Sequence, residues 1–302
     1  MPPSEMPQSV PRILKLSAVS DRYDVILSDI WGVVHDGLKA FPQASDALSG
    51  FRNTGGRVVL ITNAPRPSES IYAQLLALGV ASNAFDAIVT SGDVTVDLIA
   101  QRILEPVVHI GPSRDLSLFE AAAKQAGIEP KRVALERARY ALCTGLRDDR
   151  VETVENYEAE LKALAARDMP MICANPDITI HRGDKIIYCA GALAQRYEAL
   201  NGSLIYAGKP YPPIYAAALQ LAERALGSPV DRTRVLAIGD GMRTDIAGAA
   251  AAGLDALFVT GGIHRAALHQ DAASCEIDAE RLERLCAEYN LWPVAAIAAL
   301  RD

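Results

Sequence analysis

Short apolar runs, each closed by a polar residue or glycine, alternate with helix-like segments along almost the whole chain. Tyr23-Asp24-Val25-Ile26-Leu27-Ser28 stops at Asp29, Arg57-Val58-Val59-Leu60-Ile61 at Thr62, and Ala87-Ile88-Val89 at Thr90. Val235-Leu236-Ala237-Ile238 stops at Gly239 and Ala256-Leu257-Phe258-Val259 at Thr260. Five such runs between helical stretches predict an α/β fold, a Rossmann-like parallel sheet covered by helices on both faces. Their polar ends then share the carboxyl edge of the sheet, where open α/β folds bind ligands.

The middle of the chain repeats the alternation on its own. Val107-Val108-His109-Ile110-Gly111, Tyr140-Ala141-Leu142-Cys143-Thr144-Gly145 and Met171-Ile172-Cys173-Ala174 read as strands, and Val151 to Arg167 as a helix. This predicts a second, smaller α/β domain with edges at the turn residues near Pro106 and Asn201-Gly202. The expected layout is a core over 1–105, with 1–20 as a leader, an inserted domain over 106–203, and the rest of the core over 204–302. A chain of 302 residues, half of them apolar, is long for one hydrophobic core and sufficient for two.

Charge and cysteine content narrow the partners. A net charge of -7 argues against nucleic acid or an acidic membrane surface as a partner, so an anionic substrate must be held locally. The five cysteines are widely spaced and lack a C-x-x-C pair, which predicts reduced thiols in a cytoplasmic protein and no zinc site. Residues 1–11 lack an apolar core of the secretory type, and no window reaches the roughly 18 continuous apolar residues of a spanning helix.

A lone aspartate closing a strand is usually a cap or turn residue, but Asp29 has company. A carboxylate that attacks a phosphoester needs a metal to offset anion–anion repulsion, and Asp240, in a Gly-Asp-Gly turn after another apolar run, is the matching ligand. Oxygen ligands alone suit magnesium. Asp245, five residues on, also reads as an acidic residue at the start of an alanine-rich helix over 246–252. Thr62-Asn63 ends the second strand and by itself reads as the cap of a helix beginning near Pro67. Lys209, between Gly208 and Pro210-Tyr211-Pro212-Pro213, is held rigidly before a helix, where a fixed ammonium neutralises developing phosphoryl charge. Asn175-Pro176-Asp177 has the composition of a tight turn, and His181-Arg182 either binds an anion or is simply exposed.

In this order, the segments ending at Asp29, at Thr62-Asn63, at Lys209 and at Asp240 to Asp245 resemble the four motifs of the haloacid dehalogenase superfamily, mostly magnesium-dependent phosphatases. Thr144-Gly145-Leu146-Arg147-Asp148, Ala174-Asn175-Pro176-Asp177 and Cys189-Ala190-Gly191-Ala192-Leu193 resemble the C2-type cap of its class IIA branch, which contains nitrophenylphosphatases and nucleotide phosphatases. The resemblance runs from about Tyr23 to Gly262. It implies Asp29 as nucleophile and metal ligand, Asp240 as metal ligand, and the backbone carbonyl of Trp31 as a further ligand. Asp245 supports the metal site or orients Lys209, Thr62 and Lys209 bind the phosphoryl group, and Asn63, Asn175 and Asp177 contact the substrate. Mg2+ as cofactor, a small phosphorylated metabolite as substrate and a homodimer formed through the cap complete the implied picture.

One position departs from the family pattern. Where the phosphatases carry a second aspartate, in D-x-D-G, this chain has Trp31, which neither protonates a leaving oxygen nor activates water. His35 or Asp36 on the following turn are the nearest substitutes, each also readable as a turn residue. Dehalogenation, which needs no acid at this place, is disfavoured by the presence of Asp240 and Asp245. The remaining alternative is a protein that binds a phosphorylated metabolite with little or no turnover.

Overall fold

The computed structural model describes residues 9–182, 185–270 and 276–302, with the backbone alone at 181, 182, 185 and 186. Residues 1–8 of the expected leader, Cys275 and the side chains of His181 and Arg182 lie outside the described set. The strands in chain order are β1 (Arg12–Ile13), β2 (Val25–Asp29), β3 (Arg57–Thr62), β4 (Ala87–Thr90), β5 (Val107–Ile110), β6 (Tyr140–Cys143) and β7 (Met171–Cys173). They continue as β8 (Thr179–Arg182), β9 (Lys185–Tyr188), β10 (Leu204–Tyr206), β11 (Val235–Gly239), β12 (Asp255–Val259) and β13 (Ala295–Ile297).

Among the described residues, seven strands form one sheet in the order β1-β13-β12-β11-β2-β3-β4. The five apolar runs supply the contiguous strands from β12 to the edge strand β4, and every residue of β2 and β11 is buried, as strands covered on both faces require. The outer pair β13 and β1 is an addition to the expected five. Residues 12–20, expected as leader, are built into the fold: Ile13 pairs in parallel with Ile297, and the amide of the buried Leu16 donates to the carbonyl of Arg301 at 2.8 Å.

From β2 the chain moves outward through β3 to β4, and later from β11 through β12 to β13 on the other side. The order therefore reverses between β2 and β11, the switch point at which open α/β sheets leave a crevice at their carboxyl edge. Register fixes what stands there. Ser28 is paired with Ile238, so Asp29 and Gly239 are neighbours and Asp240 is one residue beyond.

The chain falls into two compact units, Met1–Ile61 with Tyr72–Ile88 and Tyr215–Asp302, and Thr62–Ile71 with Val89–Ile214. The second unit carries a parallel sheet in the order β10-β7-β6-β5 and the antiparallel hairpin β8-β9. Its core is packed around three buried tyrosines, and Tyr197 and Tyr157 place their hydroxyls on the Met169 carbonyl and the Glu152 carboxylate, each at 2.6 Å. The expected helix over 151–167 is shorter, a 3-10 turn at Val154–Tyr157 leading into an α-helix at Glu158–Ala165. The described cysteines are free and buried, and burial pushes the Cys143 thiol up to about 12. No helix among the described residues is long and apolar enough to cross a membrane.

A half-buried histidine in this unit sets an acid limit. Burial, then the charges of Arg132 and Arg147, push His109 down to about 4 from its ordinary 6.5. Its Nε2 lies 3.0 Å from the Thr144 hydroxyl, and Phe119 packs edge-on against the ring. Between these two values the unfolded chain binds the extra proton and the folded chain does not. Stability is therefore full above about pH 6.5 and falls as pH drops towards 4, by about 3 kcal/mol from this residue. His109→Gln should flatten the melting temperature over that window relative to wild type, and parallel curves would show that the residue does not contribute.

Candidate active site

At the carboxyl edge of the large sheet, three buried aspartates converge. Asp29, Asp240 and Asp245 each offer a carboxylate oxygen, and these oxygens lie within 4.8 Å of one another. Three carboxylates that close repel strongly in a buried site, and a cation removes the repulsion. The donor set consists of hard oxygens without thiol or imidazole, which fits a divalent cation of the magnesium or calcium kind and not zinc.

The backbone around Asp240 is shaped to admit its side chain. Gly32 sits at φ +80°, and a Cβ there would lie 2.2 Å from Asp240 Oδ2, so a side chain is excluded by both conformation and space. Gly262, in the loop after β12, is as close: a Cβ would fall 1.9 Å from the same oxygen. The amide of Ile263 donates to that oxygen at 2.8 Å, which orients the carboxylate. Sequence reasoning missed these contacts. The glycine pair Gly261-Gly262 directly after an apolar strand was the available signal.

Asp245 departs from its expected place at a helix start. It lies inside a π-helical turn, Met242–Ile246, that precedes the α-helix Ala247–Ala252. Its Oδ2 accepts from the Gly241 amide at 3.0 Å and from the Thr244 hydroxyl at 3.3 Å, while Tyr215 donates its hydroxyl to the Asp245 carbonyl at 3.2 Å. The carboxylate is thus turned back toward the strand end and away from capping the helix. Wider turns of this kind are rare and recur at functional sites.

Trp31 and the residues after it form a tight turn. The amide of Gly32 donates to the His35 carbonyl at 2.8 Å, and the indole packs edge-on against the His35 ring at 5.3 Å and 72°. Gly37, at φ +87°, lets the indole lie over the turn, since a Cβ there would sit 2.4 Å from the ring. His35 is buried, its Nδ1 accepts from the Gly37 amide at 2.8 Å, and burial lowers its pKa, which leaves a neutral ring with the proton on Nε2. Asp36 is exposed and accepts from the amides of Leu38 and Lys39 at 2.9 Å. Slight burial opposes its ionisation, but those amides outweigh it and hold the carboxyl below the usual range.

The other expected site residues stand together in the second unit. Thr62 and Lys209 are buried, and the Thr62 hydroxyl accepts from the Ala64 amide at 3.3 Å. Asn63 Nδ2 donates to Asp177 Oδ1 at 2.8 Å and to the Lys209 carbonyl at 3.1 Å, and its Oδ1 accepts from the Lys209 amide at 2.7 Å. Asn175 Oδ1 accepts from the Asp177 amide at 3.0 Å, closing the turn expected there. Asn63, Asn175 and Asp177, expected as substrate contacts, are therefore engaged among themselves and with Lys209. Loops after β5 and β6 line a cleft of about 310 Å3 with Arg114, Arg147 and Arg150. Each arginine is paired, to Asp149, Glu160 and Asp148 respectively.

A parallel α/β protein with a carboxylate cluster at its switch point is a class with many members, and comparison with known proteins narrows it. Residues 26–129 match the model of a haloacid dehalogenase-like hydrolase, and residues 206–283 that of an HAD-hydrolase-like family. A haloacid dehalogenase-like hydrolase from Brucella suis 1330 is 43% identical, with a TM-score of 0.81 over 95% of this chain and 99% of that one. Ribonucleotide monophosphatase NagD of Escherichia coli K12 is 26% identical over 79% of this chain and 88% of its own length. D-glycerol 3-phosphate phosphatase of Mycobacterium tuberculosis H37Rv is 28% identical over 83% of this chain and 67% of its own. The chain belongs to the haloacid dehalogenase-like hydrolase family.

Proposed function

We propose that this chain is a magnesium-dependent phosphatase of a small phosphorylated metabolite, working in the cytoplasm through an aspartyl-phosphate. The observation that carries this reading is the cluster of Asp29, Asp240 and Asp245 at the reversal of strand order. An oxygen of Asp29 attacks phosphorus, the bond to the leaving oxygen breaks, and water then attacks the phosphorus, releasing phosphate and restoring the carboxylate. Thr62 donates to the phosphoryl group and Lys209 balances its charge. A bound Mg2+, held by Asp29, Asp240 and the Trp31 carbonyl with Asp245 in support, supplies charge neutralisation. The cap in this reading is the inserted segment of about 106–203, with β10 completing its sheet, and a homodimer formed through it fits the reading. Phosphate release from a panel of phosphorylated metabolites, with and without magnesium, tests the activity.

The metal has its own measurement. Magnesium at about a hundred times its dissociation constant should stabilise the fold by about 2.7 kcal/mol, seen as a rise in melting temperature. Asp240→Asn keeps an acceptor for the Ile263 amide but removes the charge, so it should lose most of that rise. An equal rise in both proteins would place the ion elsewhere.

Trp31 favours one second reading, a protein that binds a phosphorylated metabolite with little turnover, because the usual acid-base residue is missing. Tight binding in the panel with no phosphate released, even from activated esters, would decide for it.

A further inference from the structure

The amide of Asn63 is bonded on both sides to one residue. It accepts from the Lys209 N–H and donates to the Lys209 C=O, the pairing that a neighbouring strand would offer, while its second N–H is spent on Asp177. Only a carboxamide presents a donor and an acceptor side by side at this reach: an aspartate would set an oxygen against the Lys209 carbonyl, and a serine is too short. Asp177 also decides which way round the amide stands. A carboxylate only accepts, so Nδ2 must face it and Oδ1 must face the Lys209 amide. Both partners come from far along the chain, 114 and 146 residues away.

The surroundings are built to this contact. A Cβ on Gly208 would lie 2.4 Å from Asn63 Oδ1, 2.7 Å from the Pro176 ring and 2.8 Å from Ser91 Oγ, so the residue before Lys209 has to be glycine. Ser91 donates its hydroxyl to the Ala174 carbonyl at 2.6 Å, and the Asp177 carbonyl accepts from the Gly191 amide at 3.1 Å. The loop 174–177 is therefore fixed from both ends where it meets Asn63.

We propose that Asn63 is a positioning residue that fixes the backbone of Lys209, with the Asp177 carboxylate locking the orientation of its amide. This rests on the reading of Lys209 as the charge partner of the phosphoryl group. The ammonium of a four-carbon side chain is aimed only as well as its Cα is held, and a displacement near 1 Å costs on the order of a hundredfold in rate. The loop 174–177 then acts on the reaction through Asn63 and Lys209.

A double-mutant cycle tests this, with kcat and KM on p-nitrophenyl phosphate and the affinity for inorganic phosphate as readouts. Asn63→Ala should lower kcat about a hundredfold with a smaller change in KM, and Lys209→Ala should lower it further. Adding Asn63→Ala to Lys209→Ala should cost nothing more, because the residue acts only through the lysine. Phosphate affinity should follow the same pattern, which keeps the test alive if turnover is absent. Equal losses from Asn63→Ala in both backgrounds, or no loss beside an impaired Lys209→Ala, would overturn the proposal and leave the phosphatase reading intact. An unimpaired Lys209→Ala would instead remove the role of the lysine, and the proposal with it. If Asn63→Ala does not fold, Asp177→Ala takes its place in the cycle, with a loss of about tenfold expected from the freed amide.

Discussion

Asp29→Asn should abolish phosphatase turnover, by more than about 10^4-fold, while the fold persists. Asp29 ends β2 with its side chain buried, and the neighbouring Ser28 hydroxyl donates to the Asp29 carbonyl at 2.9 Å, so the backbone there is held independently of the carboxylate. Asparagine has the same shape and relieves the mutual repulsion of the aspartates, so the melting temperature without metal should hold or rise. What it loses is a nucleophile: an amide oxygen does not form an acyl-phosphate that water can open. Denaturing the wild type during turnover should trap a phosphoryl group on the peptide that contains Asp29, and the variant should carry none. Turnover by Asp29→Asn within tenfold of wild type, or a label on a different peptide, would move the chemistry to another residue.

The same strand shows what a sequence discloses. β2, β3 and β11 are continuous apolar runs broken by an acid, a threonine or a glycine, and burial on both faces leaves no other way to write them, so their ends and the residues on them were legible. β13 was not: Ala295-Ala296-Ile297 is three residues long and two of them are alanines, too short and too weak a pattern for its single β-branched residue to announce a strand, and it exists because β12 offers it an edge. The identity of Asp240 as an acid at a strand end was readable. That the Ile263 amide orients it was not, because the contact depends on how the loop after β12 folds over its neighbour. Asp245 reads as a helix-start carboxylate because alanines follow it, whereas it lies inside a π-turn with its carboxylate bonded back to the Gly241 amide. The partners of Asn63 were beyond reach for a simpler reason: local pattern carries no information about contacts made across more than a hundred residues.

Trp31 stands where the family's phosphatases carry their acid-base aspartate. General acid-base assistance contributes about a hundredfold to ten-thousandfold, most where the leaving oxygen is a poor one, so its absence should show as selectivity. p-Nitrophenyl phosphate, whose phenolate departs without a proton, should be hydrolysed faster than an alkyl phosphate of equal affinity by about that factor. With no base to activate water, breakdown of the aspartyl-phosphate is slow as well, and the progress curve should show a burst followed by a low steady rate. Neither His35 nor Asp36 is suited to restore the acid. Asp36 is held ionised by the amides of Leu38 and Lys39, and an ionised carboxylate has no proton to give. His35 is neutral, buried and committed through Nδ1 to the turn. His35→Ala and Asp36→Asn should accordingly leave the ratio of the two substrates unchanged, whereas Trp31→Asp should raise the alkyl rate by about a hundredfold or more and shrink the burst. Trp31→Ala separates chemistry from space: it removes the indole from the turn at Gly37 without adding an acid, so it should bring no gain on alkyl phosphates. A wild-type enzyme that hydrolyses both substrates equally well, or an alkyl rate that collapses in His35→Ala alone, would show that the proton comes from another group.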